Sequence, residues 1–220
     1  MCNGESMGIL AGINARRSCR VYQKTPLSPE LLKSVLEYAT FAPSAKNCQP
    51  WEAFVVSGAK LDAIREACTA AAARSEIATP ESGGYTEAGN ARARELFHDM
   101  TPLLERQGWD PRSVFNHSIR LFDAPSAVFV CIDAASAAGR LIDAGIFLQT
   151  LCLSATGHGL GSCIIGYVKA VEPVLRAQLN IPENLSLVAA VALGFADTSA
   201  PMNELESSRA ELEENVRFIS

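Results

Sequence analysis

The sequence predicts an α+β protein in three layers, with one sheet covered by helices on both sides. Two observations predict this layered arrangement of one sheet and its helices. The chain has 220 residues, of which 48% are hydrophobic, so it is long enough to bury one substantial core. Stretches with helical spacing also separate the strand-like apolar runs, which places helices between strands. No internal repeat or low-complexity tract is present, so one domain over residues 1–220 is the simplest organisation.

Helical spacing of apolar residues occurs in five stretches, at residues 9–17, 29–39, 60–73, 141–155 and 171–179. Ser28 is a suitable N-cap for the second stretch, with Pro29 in its first turn. Asn180 and Pro182 end the fifth stretch. The fourth stretch carries mostly apolar or small residues and predicts a buried core helix.

Strands are predicted from apolar, β-rich runs at residues 53–56, 126–132 and 185–193. A further strand is expected after the glycines that close the helix at 141–155. Residues 75–116 are more polar, contain Gly83, Gly84, Pro102 and Pro111, and show no clean period. They predict helices and loops outside the sheet.

Charge and residue usage exclude several classes of protein. The net charge is −5 and the basic residues form only local clusters, whereas a nucleic-acid surface needs a broad basic field. The seven cysteines form no CxxC pair and the three histidines lie far apart, so neither a disulfide framework nor a metal site is indicated. We expect a cytoplasmic protein with reduced thiols and no membrane contact, because no signal-peptide pattern and no bilayer-length apolar stretch is present.

The connection at residues 42–51, APSAKNCQPW, is the most informative stretch of the chain. Its two prolines restrict the backbone and remove two donors. A serine, an asparagine and a glutamine between them offer hydrogen-bonding groups from a stiff loop, as a flat ligand rich in heteroatoms requires. The alternative is a capped helix-to-strand connection in which Trp51 fills the core.

Two further motifs suggest ligand contacts. Residues 16–20, RRSCR, place three guanidinium groups and a hydroxyl together, which suits a phosphate-sized anion. The alternative is a solvated basic patch.

Residues 157–166, GHGLGSCIIG, close a helix and lead into a strand, the reverse of a Rossmann glycine loop. They predict a tight turn that brings the backbone near a ligand.

Along the chain the three motifs follow the order RRSxR, PSxxNxQPW and GLGSCxxG. Motifs in this order resemble the nitroreductase family of FMN-dependent oxidoreductases, as does the C-terminal segment at 208–218, SRAELEENVRF. The resemblance covers residues 9–220. FDAP at 122–125 and DxGxFLQ at 143–149 are most similar to the nitrobenzoate-reductase-like branch.

The resemblance implies a nitroreductase-like fold, with a central, mostly antiparallel sheet flanked by helices, in an intertwined homodimer. One FMN would lie in each of two sites at the subunit interface. The helix at 141–155 is a candidate for a large apolar interface, because Gly145 and Ala155 would allow close helix contact. Residues 75–118 are a variable segment and a candidate for covering the substrate.

Carried over residue by residue, the resemblance implies that Arg16, Ser18 and Arg209 bind the FMN phosphate. Arg17 would lie along the ribityl chain. Arg20 would face the N1/O2 edge of the isoalloxazine ring, where a cation stabilises the charge of the reduced flavin.

The other implied contacts lie on two backbone segments. They are Pro43, Ser44 and Ala45 from the partner subunit, with Asn47 supporting that loop, and Ile164, Ile165 and Gly166 near the N5/O4 edge. Many relatives carry a second cation shortly before the terminal arginine. Glu206 and Ser207 occupy those places here, so the phosphate would meet fewer charges.

The implied reaction is ping-pong: NADH or NADPH reduces FMN and leaves, and an electron-poor small molecule such as a nitroaromatic or quinone is then reduced. No catalytic side chain is assigned, because the flavin carries the chemistry. Two alternatives stay open, namely a flavin enzyme of the same fold with another reaction (reductive dehalogenation or flavin breakdown) and a non-catalytic flavin-binding module. The natural acceptor and the choice between NADH and NADPH also stay open.

Overall fold

The structure, a computed structural model, describes residues 8–77, 85–135 and 139–219. Cys2 and the Gly83-Gly84 pair lie outside these ranges. Within them the chain forms eight α-helices and four β-strands. In chain order these are α1 (Ile9–Ala15), α2 (Pro29–Ala39), β1 (Trp51–Ser57), α3 (Gly58–Ala73), α4 (Glu87–Arg106), α5 (Val114–Ile119), β2 (Ser126–Asp133), α6 (Gly139–Gly157), β3 (Gly161–Ile165), α7 (Glu172–Leu179), β4 (Leu185–Gly194) and α8 (Leu212–Asn215).

The four strands form one antiparallel sheet in the order β1–β2–β4–β3. β2 and β4 lie inside the sheet, and β1 and β3 are its edges among the described residues. β3 runs opposite β4 from the Gly161–Gly194 pair to the Ile165–Ala190 pair. The expected antiparallel sheet flanked by helices is confirmed.

Two buried clusters cover the two faces of the sheet. Phe129 and Leu187 belong to the cluster beneath α3, α5 and α7. Val128 and Val191 belong to the cluster beneath α2 and α6. Successive side chains of a strand point to opposite faces, so strands covered on both sides must be apolar throughout, as β2 and β4 largely are.

The core helix α6 is longer than its prediction, and only part of its surface is buried. Ala155 is fully buried in the cluster shared with α2, so it does not offer the close contact to a second subunit that its size suggested. Gly145 is exposed, with no atom within 4 Å of the position that a Cβ would take. Leu141 and Ile142 are 51% and 68% exposed. The side of α6 open to a partner therefore lies in its N-terminal half.

Helix α4 is the main element of the segment that showed no clean period. Its 20 residues include Pro102, and its apolar residues Met100 and Leu104 pack on Met202 and Leu205 rather than on the sheet. Arg106 donates two hydrogen bonds to the Glu204 carboxylate, at 2.8 and 2.9 Å. Arg92 lies 3.3 Å from Glu214. Both ends of α4 are thus tied to the C-terminal segment at residues 201–215.

Six cysteines lie in the described ranges; all are free and five are buried, Cys48 being the exposed one. The buried thiols pack as small apolar side chains. No helix in the described part of the chain is long and apolar enough to cross a membrane.

Candidate functional site

The RRSCR motif forms an extended segment beside β3. α1 ends at Ala15, and Arg16 already has an extended backbone with ψ of 121°. Ser18 forms a parallel bridge with Ser162, and the Cys19 amide donates to the Ser162 carbonyl at 2.9 Å. The glycine-rich motif and the arginine motif therefore meet through the backbone.

Gly161 makes this close approach possible. A Cβ at this position would lie 2.8 Å from both Cβ and Sγ of Cys19, which is too close for any side chain. The turn before it depends on Gly159, whose φ of +74° is costly for other residues. These two glycines thus bring β3 against the arginine segment. The turn was expected to bring the backbone near a ligand, and in the structure it brings the backbone against the segment proposed to bind that ligand.

Asn203 fixes the other side of the arginine segment. Its Oδ1 accepts from the Arg20 amide at 2.8 Å and from the Val21 amide at 3.2 Å. Its Nδ2 donates to the carbonyls of Val21 and Asp197, at 2.7 and 2.9 Å. Sequence reasoning missed this residue, because a single asparagine 182 positions away carries no local signal.

Arg16, Ser18 and Arg20 gather around Cys163 on β3. Burial raises the pKa of the Cys163 thiol, and the charge of Arg20, a hydrogen bond with Ser18 and the charge of Arg16 oppose that rise. Arg20 also donates to the Ser18 carbonyl at 3.3 Å. Among the described residues the Arg16 guanidinium has no hydrogen-bond acceptor, although the residue is half-buried. A half-buried guanidinium without a protein acceptor suits an anionic ligand.

Arg17 lines the same cavity as Ser18, but its guanidinium has its own partners. Its guanidinium donates to the carbonyls of Asn14 and Arg16 at the end of α1. It also lies 3.9 Å from the carboxylate of Glu206. Glu206, which stands where many relatives have a cation, is thus placed next to the arginine motif.

Arg209 is exposed, and its guanidinium bonds within its own segment. It donates to the carbonyl and hydroxyl of Ser207, at 2.9 and 2.7 Å, and to the carbonyl of Ser208 at 2.8 Å. The structure therefore gives Arg209 no hydrogen bond to the arginine motif within the described residues.

The loop between Pro43 and Pro50 is a compact turn held by its own polar groups. Ser44 Oγ accepts from the Gln49 amide at 2.9 Å, and the Ser44 carbonyl accepts from the Asn47 amide at 3.0 Å. Asn47 Oδ1 accepts from Gln49 Nε2 at 3.2 Å, which fits its expected supporting role. Lys46, Asn47 and Gln49 have φ between 42° and 55°, in the left-handed region.

Trp51 follows this loop and packs inward. It is half-buried and stacks on Phe147 of α6, with ring centroids 4.9 Å apart. The alternative reading of the loop, in which Trp51 fills the core, therefore describes this residue correctly.

Asp143 and Arg140 anchor the loop to α6. Asp143 is 4% exposed, and its Oδ1 accepts from the Ala45 amide at 3.1 Å. Its Oδ2 pairs with Arg140 at 3.0 Å, and Arg140 reaches Cys48 Sγ at 2.8 Å. In the sequence, Asp143 stood out only as the first residue of the DxGxFLQ pattern.

The end of β3 presents Ile164, Ile165 and Gly166 differently. Ile164 is 41% exposed, whereas the Ile165 side chain is buried in the core. Gly166 is exposed, and the next residue, Tyr167, meets Phe115 edge-on with ring centroids 4.0 Å apart. Ile164 and Gly166 are thus exposed at this end of the edge strand β3, and an aromatic pair adjoins them.

One chain holds the predicted site in two separate parts. Ser18 and Thr156 line the same cavity of about 200 Å³, near the C-terminal end of α6. Ala45 is bound to Asp143, near the start of the same helix. The thirteen residue steps from Asp143 to Thr156 along α6 span about 20 Å at 1.5 Å per residue.

Comparison with known proteins gives consistent results. The profile described as "Nitroreductase family" matches residues 13–195. A nitrobenzene nitroreductase of Ectopseudomonas oleovorans is 33% identical over 94% of this chain and 95% of its own length. A 4-nitrobenzoate reductase of a Nocardioides species is 28% identical over 94% and 88%, respectively. The crystal structure of the FMN-dependent nitroreductase NfnB from Mycobacterium smegmatis, in complex with NADPH, superimposes with a TM-score of 0.88 at 29% identity, covering 95% of this chain and 96% of that one.

Proposed function

The chain belongs to the nitroreductase family, and on that basis we propose that it is an FMN-dependent oxidoreductase. It takes electrons from NADH or NADPH and passes them to nitroaromatic, quinone-like or other electron-poor acceptors. The observation that supports this function most directly is the half-buried Arg16, which lacks an acceptor among the described residues and lies with Ser18 and Arg20 beside Cys163 of β3.

The arginine motif fits the phosphate end of FMN. Arg16 and the Ser18 hydroxyl would bind phosphate oxygens through charge-assisted hydrogen bonds. Arg209 would join them once it leaves Ser207 and Ser208, and it lies on an exposed segment that permits this movement. Arg17, beside Arg16 but bonded to the end of α1, would lie along the ribityl chain.

The ring end of FMN fits the edge of β3. Arg20 would place its positive charge at the N1/O2 edge, and the backbone from Ile164 to Gly166 would bond to the N5/O4 edge. Bound FMN would supply hydride transfer between the nicotinamide and the acceptor. The protein's part is to bind, to orient and to place a cation where negative charge accumulates.

A homodimer would complete the site. The two parts of the site lie about 20 Å apart along α6 in one chain, so Pro43, Ser44 and Ala45 of a second copy are suited to cover the flavin held by the first. Exposed apolar side chains offer the interface; they are Ile9, Leu10, Leu141, Ile142, Phe218 and Ile219, each at least half exposed. Exposed apolar side chains indicate an interface where they lie together, and α1, which carries Ile9 and Leu10, contacts α6, which carries Leu141 and Ile142.

Residues 75–118 would cover the acceptor. Phe115 of α5 touches Tyr167, which directly follows the backbone proposed for the N5/O4 edge. An aromatic pair at this place suits a flat aromatic acceptor.

The six free cysteines agree with the expected cytoplasmic location, where thiols stay reduced.

Purification tests the proposal. We expect a yellow protein with about one non-covalent FMN per chain, and oxidation of NADH or NADPH by a panel of nitroaromatics and quinones above the rate with free FMN. A protein that stays colourless after incubation with FMN refutes the function. Bound flavin without turnover would instead identify a flavin-binding module.

A further inference from the structure

The loop from Pro43 to Gln49 depends on α6 for its position. Inside the loop, the hydrogen bonds are local, from Ser44 and Asn47. Among the described residues, every hydrogen bond that ties the loop to another element ends on Asp143 or Arg140. These two residues therefore decide where the loop stands relative to the core.

Asp143 is the centre of this anchor. Its carboxylate is buried, and one oxygen is bonded to the Ala45 amide while the other faces the Arg140 guanidinium. Cys48 Sγ lies 3.9 Å from the second oxygen. A buried charge is tolerated only when hydrogen bonds and a counter-charge replace water, and here they come from the loop and from one turn of α6.

The anchor is rigid because α6 is itself fixed. Phe147, one turn after Asp143, stacks on Trp51 at the far end of the loop. Further along, Leu151, Cys152 and Ala155 of α6 are buried in the cluster shared with α2. The loop is thus fastened at two points of a helix that packs into the core.

We propose that Asp143 is a positioning residue for the flavin site of the partner subunit. It touches no ligand. It fixes the Ala45 amide, and through it the backbone of Pro43 and Ser44, so that these residues can cover the isoalloxazine ring. This inference rests on the proposed function, because it assumes that the loop meets a flavin held by the other copy.

The test compares three variants of the full-length protein. Asp143→Ala removes the acceptor of the Ala45 amide, and Asp143→Asn keeps an acceptor oxygen but loses the charge. Ser154→Ala is the matched control, since it removes one tether of the same helix to α2 without reaching the loop. Exchange of the Ala45 amide, labelling of Cys48 and FMN affinity are measured alongside kcat and KM.

We expect Asp143→Ala to speed Ala45 exchange and to weaken FMN binding by about tenfold each, as loss of one charge-assisted hydrogen bond would. We expect kcat to fall by a similar factor while the KM for the nicotinamide stays within about twofold. Asp143→Asn should restore part of each loss. Ser154→Ala should leave Ala45 exchange and FMN affinity within about twofold of the wild type.

Two results would overturn the inference. One is an Asp143→Ala protein with fast Ala45 exchange but wild-type flavin affinity and turnover. The other is a Ser154→Ala protein with the same losses, which would trace them to general destabilisation. A wild-type chain that binds no FMN is a different failure: it refutes the proposed function and the flavin part of the inference together.

Discussion

Replacing Arg16 by alanine should weaken FMN binding by about 2–3 kcal/mol, or about 30- to 140-fold. The guanidinium is half-buried and has no acceptor among the described residues, so it gives up no protein bond when phosphate arrives. The full strength of a charge-assisted hydrogen bond should therefore be seen.

Arg209→Ala should cost less, about 1 kcal/mol or about fivefold. Arg209 is exposed and already donates to the carbonyl and hydroxyl of Ser207 and to the carbonyl of Ser208. It must exchange those bonds for bonds to phosphate, so only the difference contributes to affinity.

The assay is titration of the FMN-free protein with FMN and, separately, with riboflavin, which has no phosphate. Wild-type protein should bind riboflavin weakly, and both variants should bind it as the wild type does. Arg74→Ala is a control, because this exposed arginine pairs with Glu76, away from the arginine motif. Equal losses for FMN and riboflavin would show that these arginines do not meet the phosphate. A larger loss at Arg209 than at Arg16 would contradict the argument from existing hydrogen bonds.

Three further outcomes are expected. Glu206→Gln should tighten FMN binding about two- to fivefold at low salt, because it removes a carboxylate beside Arg17, and an unchanged titration would place the phosphate away from this pair. Added FMN should raise both the melting temperature and the dimer fraction in sedimentation across a dilution series, whereas a stable monomer full of FMN would rule out a shared site. Burial raises the pKa of the Cys68 thiol from 9.0 to about 11 in the folded protein. The unfolded chain therefore loses this proton first, and the free energy of unfolding, which is unaffected by this group below pH 9, falls as the pH rises to 11. In urea unfolding, Cys68 should account for a loss of about 2–3 kcal/mol in the free energy of unfolding between pH 9 and 11, and the Cys68→Ala variant should lack this contribution. The same pH dependence of unfolding in wild type and variant would contradict the raised pKa.

The sequence was most informative where structure depends on local chemistry. The strands at 126–132 and 185–193 were predicted within one or two residues, because strands covered on both faces must be apolar throughout. The helix at Pro29 begins as its cap predicts, with Ser28 accepting from the Leu31 amide. The order of the motifs indicated the family, and the family comparison confirms it.

Long-range contacts could not be read in the same way. The bond from Ala45 to Asp143 joins residues 98 positions apart, and Asn203 acts on a segment about 180 positions away. Helix α4 was missed as a regular element because its few apolar residues face a small satellite cluster and Pro102 interrupts its pattern. In each case the contact depends on a residue far away in the sequence, which no local pattern reveals.

Under the proposed function, the attachment of α4 to the C-terminal segment would link acceptor range to cofactor retention for any change made in α4. Arg209 lies between Glu204 and Glu214, and α4 holds both of these carboxylates through Arg106 and Arg92. A change in α4 that admits a bulkier acceptor would also loosen the segment carrying the terminal arginine. Redesign for new substrates should therefore begin at α5, which contacts Tyr167 and leaves that segment untouched.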